Sequence, residues 1–461
     1  MIVLPKRALS IISTLKAKGF TAYAVGGSVR DLLLGKSTKG WDFTTNATPE
    51  EILSLFPDSF YDNAFGTVGI KIFSQETPEE VEDIYEITTY RSESGYTDHR
   101  HPGVLTWGKT LEEDLSRRDF TINAIATDGS ILIDPYNGTK DLEQHLIRAV
   151  GDPSKRFNED ALRMMRAVRI ASQIGMTIEE KTLDAIKKHA SLINKISSER
   201  IRDELLKLVD SEFAADGILI LKNSSLLHFF LPELEVSFEY GQKSPKRHHT
   251  LDVGTHSIIA LKNCPSHDTI TRLATLLHDI GKPQTRRVDD EGVVTFFNHE
   301  VVGAGIAKRI AYRLKLSKKQ TDKLVTLIRW HQFSVDERQT DSAIRRSIRR
   351  TTLEYLPDML ALRIGDRLGG GALETSWRLE LYKKRLEEVQ KQPFSVSDLK
   401  VSGHDVMEIL SIKPGPAVGK ILSELFSKVE AGTLVNERET LIEKMKEIAA
   451  PSERSRNDII A

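Results

Sequence analysis

The 461 residues carry 65 Lys and Arg against 66 Asp and Glu, a formal net charge of −1, and 28% of them are charged. This length exceeds a single core and predicts roughly two to four domains. The near-zero charge excludes a bulk positive field, so a nucleic-acid partner has to be held by local basic patches. Cys264 is the only cysteine, which excludes an internal disulfide framework and fits a reducing, cytoplasmic compartment.

The N-terminal "MIVLPKRALSIISTLKAKGF" has a short apolar run broken by charge and predicts an amphipathic helix rather than a signal peptide. No window of about 18 residues is apolar throughout, so no membrane span is expected. Over residues 1–150 the strand-like runs "YAVGG" and "GTVGIKIF" and the alternating "VEDIYEITTYR" interleave with helical patterns. From about residue 153 the pattern turns helical, with Leu162, Met165 and Val168 at helical steps and "SSERIRDELLKLV" in the same style. "SFEYGQKSPKRHH" (237–249) has the composition of a connector, residues 250–390 are helical and histidine-rich, and "KQPFSVSDLKVSGHD" (391–405) marks another break. A final helical piece runs into "APSERSRNDIIA", expected to be frayed. The expected division is 1–152, 153–236, 237–390 and 391–461.

"AVGGSVRDLLLG" places Gly26 and Gly27 between a strand and a helix. Glycines there let backbone N–H groups approach a phosphate, and Arg30 adds a charge, although such a turn alone is more often only a turn. Asp42 follows near a strand, and Glu86 lies in the alternating "YEITTYR" strand. Carboxylates on adjacent strands facing one way are what Mg²⁺ needs to bridge a triphosphate and an attacking hydroxyl. "RRDFTINAIA" then sets Arg117 and Arg118 beside Asp119 and Asn123. Singly, each acid reads as a solvated surface group; together and in order they read as a site.

The segments "GGSVRD", "WDFTTNATPEE", "YRSESGYTDHRHP", "RRDFTINAIA", "DPYNGTKDLEQHLIRAVGDP" and "EDALRMMRAVR" cover residues 20–210 nearly continuously. In that order they resemble the class II tRNA nucleotidyltransferases, the CCA-adding enzymes, which are related to bacterial poly(A) polymerases. The resemblance implies an α+β, mainly helical fold: a polymerase-beta-like α/β head, a helical neck, a helical body and a helical tail. It implies template-independent addition of CMP and AMP to the 3′ end of tRNA, with CTP and ATP as the other partners. Asp42 and Glu86 would hold Mg²⁺, and Gly26, Gly27, Arg30, Arg117, Arg118, Asp119, Asn123, Asp160, Arg163, Arg166 and Arg169 would bind nucleotide.

In that family "EDALR" replaces a nucleic-acid template. Asp160 and Arg163 are three apart and are expected to share a helix face. A carboxylate accepts from the exocyclic amine of cytosine or adenine while a guanidinium donates beside it; uracil and guanine present the wrong order and leave buried charges unpaired. The alternative is an ordinary surface ion pair. Arg166 and Arg169, further along, are expected to face triphosphate or primer. One departure stands out: the family pattern Asp-x-Asp is here Gly40-Trp41-Asp42. A weak but working site, a dead site with its RNA scaffold kept, and an altered residue are all compatible with this, and Asp31 is a conceivable substitute.

His256, His278, Asp279, His299, His331 and Asp366 recur in the order H…HD…H…H…D. They resemble the ligand set of HD-domain metal phosphohydrolases, which implies an N/O site for a divalent transition metal such as Mn²⁺ or Ni²⁺ and hydrolysis of phosphoesters, for example cyclic or nucleotide phosphates. A helical body retained only for gripping tRNA is the alternative. "AIRRSIRRTT" puts Arg345, Arg346, Arg349 and Arg350 on one helix face, and "SPKRHH" is a second basic cluster; phosphate contact and simple solvation are weighed evenly. The rivals to CCA synthesis are a poly(A) polymerase or partial-CCA enzyme, a phosphohydrolase with an inactive head, and a non-catalytic tRNA-binding protein. "YTDHRHP" argues for full CCA or terminal-A addition. Monomer and homodimer are both open.

Overall fold

In the computed structural model, residues 3–449 are described except 39, 64, 65, 75, 78, 95–103, 109, 243–250, 334–337 and 391–395. The "YTDHRHP" segment, the "SPKRHH" cluster and the C-terminal "APSERSRNDIIA" lie outside the described residues.

The alternating N-terminal pattern folds into a seven-stranded sheet. Its strands are β1 (Ala22–Val25), β2 (Asp42–Thr45), β3 (Ser59–Asn63), β4 (Thr67–Phe73) and β5 (Val81–Thr89). A separate hairpin, β6 (Arg91–Ser94) with β7 (Val104–Trp107), precedes the short edge strands β8 (Ala126–Thr127) and β9 (Leu132–Ile133). The sheet order is β3-β4-β5-β2-β1-β8-β9, and β2 runs parallel to β5. Period-two alternation sends Tyr85, Ile87 and Phe43 into the core and leaves Asp42, Glu86 and Thr88 on the other side. The Lys6–Ala17 helix buries Ala8, Ile11, Ile12 and Leu15, an i, i+3, i+4, i+7 stripe. The Pro49–Leu55 helix packs on β3, β4 and β5, its start fixed by a capping box between Thr48 and Glu51.

Beyond the head, Leu162–Ile174 buries Leu162, Met165 and Val168 and stops at Gly175, whose φ of +70 suits glycine. It packs on Ser198–Val209, which in turn meets Thr269–Leu277 of the histidine-rich region. Polar clasps reinforce that junction. Arg272 donates from Nε to the Val209 carbonyl (2.7 Å) and from Nη2 to that of Ser211 (3.2 Å). Arg313 forks both nitrogens onto Glu233 at 2.9 and 2.6 Å, and Arg202 reaches the Lys315 carbonyl at 2.7 Å. One apolar cluster is continuous from Leu4 through Leu162 and Leu205 to Leu362.

The C-terminal helices keep their own core of Leu399, Val406, Leu425, Phe426, Leu441 and Met445. Here the expectation for the basic helix changes. Arg345 is buried and donates to the Glu430 carbonyl at 2.7 Å, Arg349 pairs with the Glu430 carboxylate, and Arg350 lies over the Trp330 ring at 4.9 Å. Arg345 and Arg349 thus dock the tail; a helix C-terminus offers carbonyls and negative potential that arginine satisfies. The architecture is the mainly helical α+β arrangement expected. Among the described residues, no helix is long and apolar enough to cross a membrane.

Candidate active sites

The first site grows from the turn after β1. Gly26 has φ +84, and a Cβ there would lie 3.1 Å from Asp42 Oδ2 and 3.3 Å from Arg118 Nη1. Glycine is required both by the left-handed backbone and by the close approach of these two side chains. Asp42 is the direct partner of Glu86 across the parallel β2–β5 pair, so both carboxylates share one face. Asp42 is half-buried and Glu86 exposed. Burial raises the Asp42 carboxyl above its usual range, against the pull of Arg118, Arg166 and Arg30. Those three arginines thus surround the acid without neutralising it outright.

Two supporting acids organise the arginines. Asp114, fully buried, accepts from Arg117 Nε (2.9 Å), Arg118 Nη2 (3.1 Å) and Thr44 Oγ1 (3.1 Å). Burial would raise its carboxyl, but Arg118 and Arg117 hold it down. Sequence reasoning passed over Asp114; the signal was an acid three and four residues before the arginine pair in a helical segment. Asp119 accepts from Asn123 Nδ2 at 3.1 Å and pairs with Arg166 Nη2 at 2.7 Å. Burial opposes its charge, yet Arg166 and the Asn123 amide bring it down to about 2. Asn123 Oδ1 accepts from Arg30 Nη1 at 2.9 Å, and Arg30 Nε donates to Asp31 at 2.8 Å. Asp31 is therefore engaged locally with Arg30.

Gly40 has φ +67, its N–H donates to Asp83 Oδ2 at 3.0 Å, and among the described residues beyond its chain neighbours a Cβ would meet only the Ile84 carbonyl at 4.0 Å. There is space for a side chain, on a backbone that favours glycine.

The base-reading pair departs from expectation. Asp160 is not on a helix face with Arg163: it caps the Pro153–Glu159 helix with extended backbone (φ −137, ψ 105). Its Oδ1 accepts the Leu162 N–H at 3.0 Å, and Arg200 Nη2, from the Ser198–Val209 helix, donates to its Oδ2 at 2.9 Å. Arg163 opens the next helix and donates to Glu159 (2.7 Å), the Arg156 carbonyl (3.2 Å) and the Arg117 carbonyl (3.1 Å). The Arg163 N–H does donate to the Asp160 carbonyl at 3.1 Å, but the two side chains are anchored by different neighbours, not by each other. Arg169 is likewise taken up, by Glu204 at 2.6 Å and Gln173 at 2.5 Å, inside the neck.

The second site gathers all six residues of the histidine-rich pattern. His256, His278 and Asp366 form one group and Asp279, His299 and His331 another, each with ligand atoms within 4.8 Å of one another. Asp279 faces both: its Oδ2 lies 3.2 Å from His278 Nε2 and 3.5 Å from His256 Nε2, and its Oδ1 3.3 Å from His299 Nε2. His278, His299 and His331 each place Nδ1 at 2.7–2.8 Å from a backbone carbonyl (Thr275, Phe296, Ile328). An Nδ1–H donated there leaves Nε2 as a lone pair aimed inward, which is how imidazole ligands are oriented. Gly281 permits the packing: a Cβ would fall 2.1 Å from the His299 carbonyl. Burial works against charge on His278, but Asp279 and Asp366 push it up to about 10, so a metal cation would take the place of the proton on its Nε2, while burial and then His278 hold His331 down to about 3. Such a cluster of inward nitrogen and carboxylate donors fits divalent metal. Lys282, unforeseen, contacts Asp279 Oδ2 and Gln242 Oε1, each at 2.6 Å. A cleft of about 320 Å³ lined by Lys282, Phe297, Asn298, His299 and Gln332 opens onto the centre.

Residues 22–148 match the family described as the poly A polymerase head domain, 175–238 a probable RNA and SrmB-binding site of polymerase A, and 247–367 the HD domain. The CCA-adding enzyme of Streptococcus mutans is 32% identical over 446 residues, covering 95% of this chain and 96% of that enzyme. That of Lactobacillus helveticus is 52% identical over 205 residues, 44% of this chain and 49% of that one, so this match spans about half of the relative's length. Among solved structures, the Bacillus stearothermophilus CCA-adding enzyme in complex with CTP matches with a TM-score of 0.71 at 29% identity, over 98% of both chains.

Proposed function

We propose that this chain, which belongs to the family of CCA-adding enzymes and is thus a nucleotidyltransferase, builds or repairs the 3′ CCA end of tRNA from CTP and ATP. The observation that carries the reading is the pairing of Asp42 with Glu86 on one sheet face, directly beside the Gly26 turn and Arg118. The all-oxygen donor set of Asp42 and Glu86 suits Mg²⁺, which when bound neutralises triphosphate charge and favours ionisation of the primer hydroxyl. Gly26 and Gly27 bring backbone N–H groups toward the phosphates, and Arg30, Arg118 and Arg166 supply the positive field around Asp42. Asn123 and Asp119 hold Arg30 and Arg166 in place. Asp160, steadied by Arg200, accepts from the exocyclic amine of cytosine or adenine, and Arg163 donates beside it. The single, buried Cys264 supports a reducing, cytoplasmic setting.

The test is incubation with tRNA lacking its CCA end, labelled CTP and ATP, and Mg²⁺. Ordered addition of C, C and A is expected; a long A tail, A alone, or no product would each replace the reading by a rival. In the same assay Arg163→Ala should lower use of CTP and ATP together and weaken rejection of UTP about tenfold, the scale of one charged base-edge contact. An unchanged nucleotide ratio with weaker tRNA binding would make Arg163 structural.

A second activity is favoured by the complete six-residue cluster. The HD centre would hold a transition metal such as Mn²⁺ or Ni²⁺, which supplies Lewis-acid activation for phosphoester hydrolysis. Lys282 beside Asp279 and the cleft at His299 would position an anionic substrate.

A further inference from the structure

Behind the HD centre, between the Leu356–Gly369 helix and the first turn of Trp377–Gln390, lies a cavity of about 500 Å³. Among the described residues, every charged residue lining it is an arginine (Arg363, Arg367 and Arg378), and Phe333 and Trp377 are its aromatic walls. Trp377 is 63% exposed, a large cost for an indole with nothing to cover. The Arg378 guanidinium sits 5.1 Å from its ring centre. Phe333 is held by stacking on Tyr382 at 5.2 Å and carries Arg363 at 5.6 Å. Arg367 is fixed by the carbonyls of Leu373 (3.0 Å) and Thr375 (3.2 Å). Arg363 Nη1 donates to Asp366 Oδ2 at 3.1 Å, and the other oxygen of that carboxylate is 3.2 Å from His256 Nε2. One aspartate therefore joins the cavity to the metal-binding cluster.

Guanidinium groups fork onto phosphate oxygens, and an exposed indole face stacks any base. We infer that this arginine–aromatic cavity binds a nucleotide unit, its base on Trp377 and its phosphate on the arginines, and presents it to the HD centre beside Asp366. The inference rests on the hydrolase reading and names its substrate: a nucleotide, either free or at the end of an RNA strand.

The test uses the full chain stripped of metal by chelation, so that binding is read without hydrolysis. Tryptophan fluorescence is followed while AMP, a single-stranded RNA hexamer ending in CCA, or inorganic phosphate is added, for the wild type, Trp377→Phe and Arg378→Ala. A quench that vanishes in Trp377→Phe, with affinity about tenfold weaker in Arg378→Ala, is the expected result. Tighter binding of the hexamer than of AMP assigns the site to RNA ends; equal binding assigns it to free nucleotides. A quench identical in wild type and Trp377→Phe, or a response to phosphate alone, overturns the inference. Mn²⁺ added afterwards separates the two ideas: binding without hydrolysis removes the hydrolase reading and keeps the cavity, and hydrolysis by a chain whose Trp377 never responds does the reverse.

Discussion

Asp42 and Glu86 stand on neighbouring strands at a half-open sheet face, whereas the six HD residues close over one another with His256, His278, Asp279, His299 and His331 almost wholly buried. The consequence for tolerance is opposite. A Cβ at position 40 would meet, among the described residues beyond its chain neighbours, only the Ile84 carbonyl at 4.0 Å, and Asp83 accepts the Gly40 N–H. The head can lack an acid at position 40 without a cost in folding. In the HD cluster each ligand is also part of a buried charge balance, and removing one leaves its neighbours uncompensated. A complete ligand set in the HD cluster is therefore partly a folding requirement, whereas the absence of an acid at position 40 of the head bears on the chemistry alone.

The sharpest way to break this contrast is to remove the HD centre. His278→Ala together with Asp279→Ala should abolish bound Mn²⁺ or Ni²⁺, measured by metal analysis, and abolish phosphoester hydrolysis. Nucleotide addition should persist, because Asp42 and Glu86 lie on a different part of the chain. Parallel loss of addition in a variant with native circular dichroism would show that the two centres depend on each other.

The next effect is at the other centre. Gly40→Asp should raise single-turnover CTP addition about a hundredfold at saturating tRNA, since loosely held reacting groups lose that much rate. The φ of +67 makes the same substitution cost about 1 kcal/mol in stability. Gly40→Asn, which tolerates this backbone without the charge, should share the stability cost and not the gain. Equal rates for the wild type and Gly40→Asp would mean that position 40 is no metal ligand here.

The smallest effect concerns the head's internal charge balance. Asp119 is lowered to about 2 from an ordinary 3.8, so its stabilisation is full above the ordinary value and is lost as pH falls toward the lowered one. The shift corresponds to roughly 2 kcal/mol, about half of it gone by about pH 3. Urea unfolding of the wild type and Asp119→Asn should therefore show a stability gap that narrows between about pH 6 and about pH 3. A gap independent of pH would place the Asp119–Arg166 pair outside this balance.

Alternation and helical spacing made the β1–Gly26 turn, β5 and the Leu162–Ile174 helix legible, because local patterns decide where a backbone strand or helix forms. The order of the histidines made their gathering legible only through resemblance, since nothing in the spacing alone brings His256 to Asp366. The expectation that Asp160 and Arg163 share a helix face failed for a local reason: it assumed an unbroken helix, yet Asp160 turns its side chain onto the Leu162 N–H and ends one. An acid just before "ALRMM" is a helix-start signal that pointed to this. Arg200 and Glu204 were invisible because they come from a helix some 40 residues away, and the sequence says nothing about which face meets which. Arg345 and Arg349 misled because a basic helix face looks the same whether it meets phosphate or the Glu430 end of another helix.

The apolar cluster that runs without interruption from Leu4 to Leu362 gives the HD region a second tenure in the molecule. Through Arg272, Arg313 and the Ser198–Val209 helix its framework supports the neck on which Asp160 depends for Arg200. A lineage that ceased to hydrolyse anything would still have to inherit these helices nearly whole. Drift could close the cleft at His299 to substrate long before it could erase the domain or its buried ligands, which makes the body an heirloom of folding as much as an enzyme.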